Sequence, residues 1–127
     1  QAAFPGAIET IRQLHAEGYL LHTASAEHSD DLAGYLEAMC VKDLFGRLYG
    51  PNLLDLPLSG PQYYRRLFED SGVEASEAVV VDDSPRRVDW VVDAGASAVL
   101  VSRGRPTSNV RCPVISSLAE LPLLMNT

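Results

Sequence analysis

Lysine is almost missing from this chain. Lys42 is the only one in 127 residues, and ten basic side chains face 17 acidic ones, for a net charge of -7. A surface of that sign excludes a nucleic-acid or anionic-membrane partner held by bulk electrostatics. Cysteine is scarce too. Cys40 and Cys112 lie far apart and in no metal-like spacing. They are expected as buried or half-buried free thiols, which suits a reducing cytoplasm. No apolar run approaches the ~20 residues of a membrane span. No basic region followed by an apolar one opens the chain, so no secretory leader is expected. The three histidines, His15, His22 and His28, form no metal pattern, and no repeat or low-complexity segment is present. With 46% hydrophobic and 21% charged residues, the chain has the balance of one ordinary globular domain spanning 1–127.

The most informative stretch is Ala78–Pro85, AVVVDDSP. Its valines read as a strand buried on both faces. Asp82 and Asp83 end it, Ser84 offers a helix-capping oxygen, and Pro85 stands where a helix accepts proline, at its first position. A strand therefore delivers two carboxylates to the lip of a sheet, and a helix leaves at once. In open parallel sheets ligands bind at that lip, outside the carboxyl ends of the strands. Paired carboxylates suit a hard cation such as Mg2+. The bland alternative is that Asp82 caps the helix and Asp83 is merely exposed.

The rest alternates strand and helix. Phe4-Pro5-Gly6 opens a helix to about Glu17 with Ala7, Ile8, Ile11 and Leu14 on one face, and Gly18 closes it. Tyr19–His22 reads as a strand and Thr23–Ala26 as the turn at its end. A helix over Asp30–Met39, capped by Ser29 or Asp30, presents Leu32, Tyr35, Leu36 and Met39. A weak strand follows at Arg47–Tyr49, then a loop from Gly50 to Gly60. Pro61 starts a helix to Ser71 with Tyr64, Leu67 and Phe68 inward, ended by Gly72. After the acids a helix runs to Ala94 with Val88, Val91 and Val92 inward, ended by Gly95, with Asp89 and Asp93 on its wet face. Ala98–Ser102 is an apolar strand, Arg103–Pro113 a solvated loop, Val114-Ile115 a short strand. Ser117 caps a tail helix bearing Leu118, Leu121 and Leu124. Such alternation predicts crossover connections and a parallel sheet with helices on both faces, a three-layer α/β sandwich.

Three features, TASA (Thr23–Ala26), GPQYY (Gly60–Tyr64) and VVVDDSP with DAG (Asp93–Gly95), resemble in order and spacing the core domain of the haloacid dehalogenase superfamily, the Asp-nucleophile phosphohydrolases. The resemblance runs from Phe4 to Ser102, and the tail VISSLAELPLL looks like the family's usual ending. It implies a Rossmann-like sheet and four converging motifs. These are an Asp-x-Asp nucleophile pair, a phosphoryl-binding Ser or Thr, a lysine beside the aspartyl phosphate, and an acidic pair holding Mg2+. A phosphoryl group in flight needs charge neutralisation and in-line placement above all. A carboxylate nucleophile splits the hydrolysis into two easier steps. Carried over, Thr23 matches the phosphoryl-binding hydroxyl. Ala24 and Ser25 follow it with backbone N–H groups that can face the anion. Asp82 and Asp83 match the metal ligands. Specificity in this family resides largely in cap and loop segments, so the resemblance implies only a small phosphorylated metabolite as substrate.

Departures from the pattern accompany these matches. No Asp-x-Asp follows a buried strand upstream of Thr23, no lysine falls around Leu58–Gly60, and Arg87 stands where a further acid often follows the pair. Arg65 or Arg66 is a candidate substitute for the lysine, against the usual fate of such residues on a wet helix face. The expectation is an incomplete core domain, lacking the nucleophile strand and any cap, with little or no hydrolysis of its own. Loss of that central strand leaves two neighbours with open edges, and a homodimer formed by strand addition is compatible with them. Two other readings remain. One is a catalytically dead fold of the same family acting as a binding or assembly module. The other is a phosphoacceptor receiver domain, which needs an aspartate after a third strand and a later lysine that the chain lacks. For Thr23 the bland alternative is a hydroxyl bonded to nearby backbone. His22 and His28 flank the same loop and are expected as surface or packed histidines. Trp90 is expected as a packing residue.

Overall fold

The structure, a computed structural model, describes residues 7–25, 29–102 and 111–125. The Phe4-Pro5-Gly6 helix start, Ala26, His28 and the arginines at 103 and 105 lie outside the described residues. Parallel strands alternate with helices, as the α/β class requires. The chain divides into two compact units, 1–57 with 117–127, and 58–116.

In the first unit α1 (Ala7–Ala16) buries Ala7, Thr10 and Leu14, spaced three and four residues apart as one helical face demands. Gly18 ends the helix at φ +95°, with its N–H bonded to the His15 carbonyl and that of Tyr19 to the Leu14 carbonyl. The strand β1 covers Leu21–Ala24, two residues later than the apolar run suggests, and Leu20 is exposed. It pairs in parallel with β2 (Phe45–Tyr49). Between them α2 (Ser29–Ala38) buries only Leu36 fully, while Tyr35 faces water and Leu32 and Met39 are half-buried. The helix packs chiefly against β2, the following 3-10 turn and the next helix, and its covered stripe is narrower than its apolar one. Cys40 ends α2 in the left-handed region at φ 60° and is exposed, not buried as expected; Cys112 is half-buried.

The loop after β2 holds a short helix that the glycines and prolines conceal, α3 (Pro51–Leu54), with Pro51 at its first position. Asn52 ties it to α2. Its Oδ1 accepts the Ser29 N–H at 2.8 Å and its Nδ2 donates to Ser29 Oγ at 2.6 Å. The chain's last segment also belongs to this unit. Ser117 and Glu120 form a reciprocal capping box ahead of a 3-10 turn at Leu118–Glu120. A final helix, Leu121–Met125, then buries Leu121 and Pro122, and this tail packs on α1.

The second unit begins with a helix at Pro61–Ser71, named α4 here. It buries Tyr63, Tyr64, Leu67 and Phe68 and ends on Gly72 at φ 74°. Then come β3 (Val79–Asp82), α5 (Pro85–Asp93), β4 (Ser97–Val101) and β5 (Val114–Ile115), all strands parallel in the order β3-β4-β5. The strand with neighbours on both sides is β4, and Ala98, Val99 and Leu100 are buried in it. The valine run of β3 is less covered than its sequence predicts. Val79 is 40% exposed and Val80 and Val81 are half-buried. Among the described residues β3 pairs with β4 only, and an edge strand loses the cover that a second neighbour provides. Val88 and Val91 seat α5 on β3 and β4.

Candidate functional site

The two acids emerge where β3 stops. Asp82 is its last residue, and its side chain is only 10% exposed because α5 turns back over the sheet immediately. That turn is built by hydrogen bonds within four residues. Asp82 Oδ1 accepts the Ser84 N–H at 3.0 Å, and Ser84 Oγ accepts the Arg87 N–H at 3.3 Å as the N-cap of α5. Asp82 thus shapes the turn while Ser84 does the capping. Asp83 is exposed beside it, within hydrogen-bonding reach of the Asp82 carboxyl. Burial pushes the Asp82 carboxyl above the usual carboxylate range, and the neighbouring Asp83 adds to the rise. The Ser84 N–H and the Arg87 guanidinium act against it.

Two further side chains interact electrostatically with Asp82. Arg87 Nη1 stands 3.9 Å from Asp82 Oδ2. From α4, Tyr64 brings a hydroxyl that is buried, has no hydrogen-bond partner among the described residues and lies in the field of Asp82. Burial and that carboxylate both push the phenol above its ordinary range. Sequence reasoning counted Tyr64 only as a core residue. Its signal was the oxygen itself, since a fully covered tyrosine ordinarily finds its hydroxyl a partner.

The residues present fit a hard divalent ion in donor chemistry. Carboxylate oxygens are what Mg2+ takes, and it commonly uses one or two from protein and fills the remainder with water and substrate phosphate. The Tyr64 hydroxyl, orphaned among the described residues, is a buried polar atom in the field of Asp82. Among the described residues no group of three or more His, Cys, Asp or Glu forms a fuller metal cage.

In the first unit Thr23 lies in β1, half-buried, one residue before the strand ends. Its Oγ1 donates to the Tyr49 carbonyl of β2 at 3.2 Å, and the same carbonyl accepts the Ser25 N–H at 3.1 Å. The backbone bond foreseen as the bland alternative is therefore present. Ala24, paired with Tyr49, closes the strand. His22 is occupied structurally. Its Nδ1 accepts the Arg47 N–H at 2.9 Å, and its ring lies against Tyr49 at 5.7 Å between centroids.

The candidate substitutes for the lysine are placed elsewhere. Arg65 donates to the Asp93 carbonyl at 3.2 Å, at the carboxyl end of α5 and so at the opposite end of that helix from the acids. Arg66 is exposed. Lys42 pairs with Glu37 at 3.0 Å. Asp89 and Asp93 are not a bare wet face, because Arg111 spans them at 3.2 Å and 2.9 Å. Trp90 is half-buried.

Against known proteins, the family model described as haloacid dehalogenase-like hydrolase matches residues 1–101. A phosphoglycolate phosphatase of Mesorhizobium japonicum is 26% identical over 108 residues, covering 85% of this chain and 48% of its own. One of Rhodospirillum rubrum is 29% identical over 103 residues, covering 81% and 43%. This chain thus spans about half the length of the curated relatives it matches. A crystal structure of a dehalogenase superimposes with a TM-score of 0.88 at 23% identity, over 97% of this chain and 56% of that one, which shows the shared fold.

Proposed function

The chain belongs to the haloacid dehalogenase-like hydrolases, and from that footing we propose that its intact form is a Mg2+-dependent phosphatase of a small phosphomonoester. Asp82 and Asp83 hold the metal. Thr23, with the backbone of Ala24 and Ser25, holds the phosphoryl group, the Thr23 hydroxyl and the Ser25 N–H both turning from the Tyr49 carbonyl to phosphoryl oxygens. When bound, Mg2+ supplies charge neutralisation between carboxylate and phosphate. The observation that carries the reading is the carboxylate pair at the carboxyl end of β3, held by an Asp82–Ser84 turn against the start of α5. The two relatives named for phosphoglycolate make a phosphorylated small acid the first substrate to try.

The 127 residues alone have no aspartate before Thr23 to act as nucleophile, and they hydrolyse little. The test is phosphate release from phosphoglycolate and p-nitrophenyl phosphate, with Mg2+, by this chain and by the chain together with whatever coding sequence precedes it. Background rates from the first and turnover from the second, abolished by Asp83→Asn, are expected. Turnover by the 127 residues alone would overturn the inactivity; turnover of the longer chain untouched by Asp83→Asn would overturn the metal assignment. A second reading, a catalytically silent binding module of the same fold, is favoured by Lys42. The one lysine is held by Glu37, away from any phosphoryl-neutralising role. Background rates from both chains would support it.

A further inference from the structure

Three elements of the second unit converge on one carboxylate: β3 with Asp82, α4 with the buried Tyr64 hydroxyl, and α5 with Arg87. Asp82 is nearly covered, whereas the Arg87 side chain is 36% exposed and its Nη1 reaches only to 3.9 Å. So long a separation is an ion pair without a tight hydrogen bond. It leaves Asp82 Oδ2, the oxygen that the Ser84 N–H does not take, and most of the guanidinium N–H groups able to turn to something else. Tyr64 adds to this, because a fully covered hydroxyl without a partner among the described residues, in the field of Asp82, marks a place where a further polar group is accommodated.

We propose that Arg87 is a built-in counter-cation of the Asp82–Asp83 pair, competing with divalent metal for Asp82 and holding the site's metal affinity low. This inference rests on the reading of those two acids as the metal site and adds the residue that tunes it. The physical reason is charge. Two carboxylates offer a cation about two negative charges, and a guanidinium a few ångströms away cancels one and repels an incoming dication. At a half-buried rim such a charge is worth about a tenfold change in binding. Arginine suits the role because it stays charged at every working pH. Its neighbour Arg86 is exposed and supplies a control of equal charge.

The experiment measures Mn2+ binding to the 127-residue chain by the electron paramagnetic resonance of free Mn2+, with Mg2+ as competitor and the fold followed by circular dichroism. Arg87→Gln is expected to tighten Mn2+ binding about tenfold, Arg87→Lys to leave it near the starting value, and Arg86→Gln to change it less than about threefold. Asp83→Asn should abolish binding in every background. Equal affinity for Arg87→Gln and the starting chain, both lost on Asp83→Asn, would overturn the role of Arg87 and leave the metal site intact. A gain from Arg86→Gln as large as that from Arg87→Gln would overturn it too, by showing overall charge at work. Binding that survives Asp83→Asn, or that is absent from all variants, would remove the metal site itself and the inference with it.

Discussion

Ser84 is the smallest part on which the candidate site depends. Its Oγ accepts the Arg87 N–H and so closes the first turn of α5, while its own N–H is taken by Asp82. Ser84→Ala should cost about 1 kcal/mol of stability, read as a lower urea midpoint at unchanged slope. The capping role was legible from the string DDSP, because the chemistry of an N-cap is local. Arg87 was not legible in the same way. Helical periodicity tells which face a residue occupies, but not that one arginine at 87 reaches back to Asp82 while another at 65 binds the far end of the same helix. Nor does any pattern announce that the Tyr64 hydroxyl is left unpartnered, because the count of donors and acceptors is settled only in three dimensions.

At the scale of elements, the pairing of β1 with β2 turns on a single side chain. The register slips between Leu21 and Thr23, where one extra residue of β2 is accommodated, and the Arg47 N–H bonds to His22 Nδ1. Gly46 is required there, because a Cβ on it would come within 2.8 Å of the His22 ring. Burial holds the His22 pKa below its ordinary value of 6.5, and the repulsion of the Arg47 charge adds to the fall. With the folded value below the unfolded one, the unfolded chain binds more protons. Stability is therefore full above about pH 6.5 and falls as pH drops below it. His22→Gln should flatten that slope in melts taken from pH 7.5 to 5. Cys40 provides a second prediction. It adopts φ 60° at the end of α2 with its side chain exposed, so Cys40→Gly should raise stability by about 0.5–1 kcal/mol in urea titration, the relief of left-handed strain outweighing the entropy of glycine. The ends of α1, α2, α4 and α5 were legible to within a residue, although at α2 no glycine marks the stop and Cys40 takes the left-handed position instead.

For the whole molecule, alternation of strand and helix was sufficient to anticipate the α/β class and the order of the strands and longer helices, though not the short α3. What it missed was cover. The valines of β3 read as interior, yet they belong to a strand with one neighbour among the described residues. Hydrophobicity records the environment a segment suits, not how much of that environment is present. The tail matters at this scale as well. Leu121 is 4% exposed in the unit that α1 begins, and Leu121→Ala should cost about 2–4 kcal/mol, checked as a fall in thermal midpoint.

The first unit is made from two separate stretches of chain, whereas the second is one uninterrupted stretch. On the ribosome the second can therefore be finished while the first is still waiting. The apolar stripe of α1, made before the second unit, meets the 117–125 tail only when that tail has left the exit tunnel. For that interval Ala7 and Leu14 lack their eventual cover, and a nascent chain stalled before residue 117 should be the form most prone to capture by chaperones.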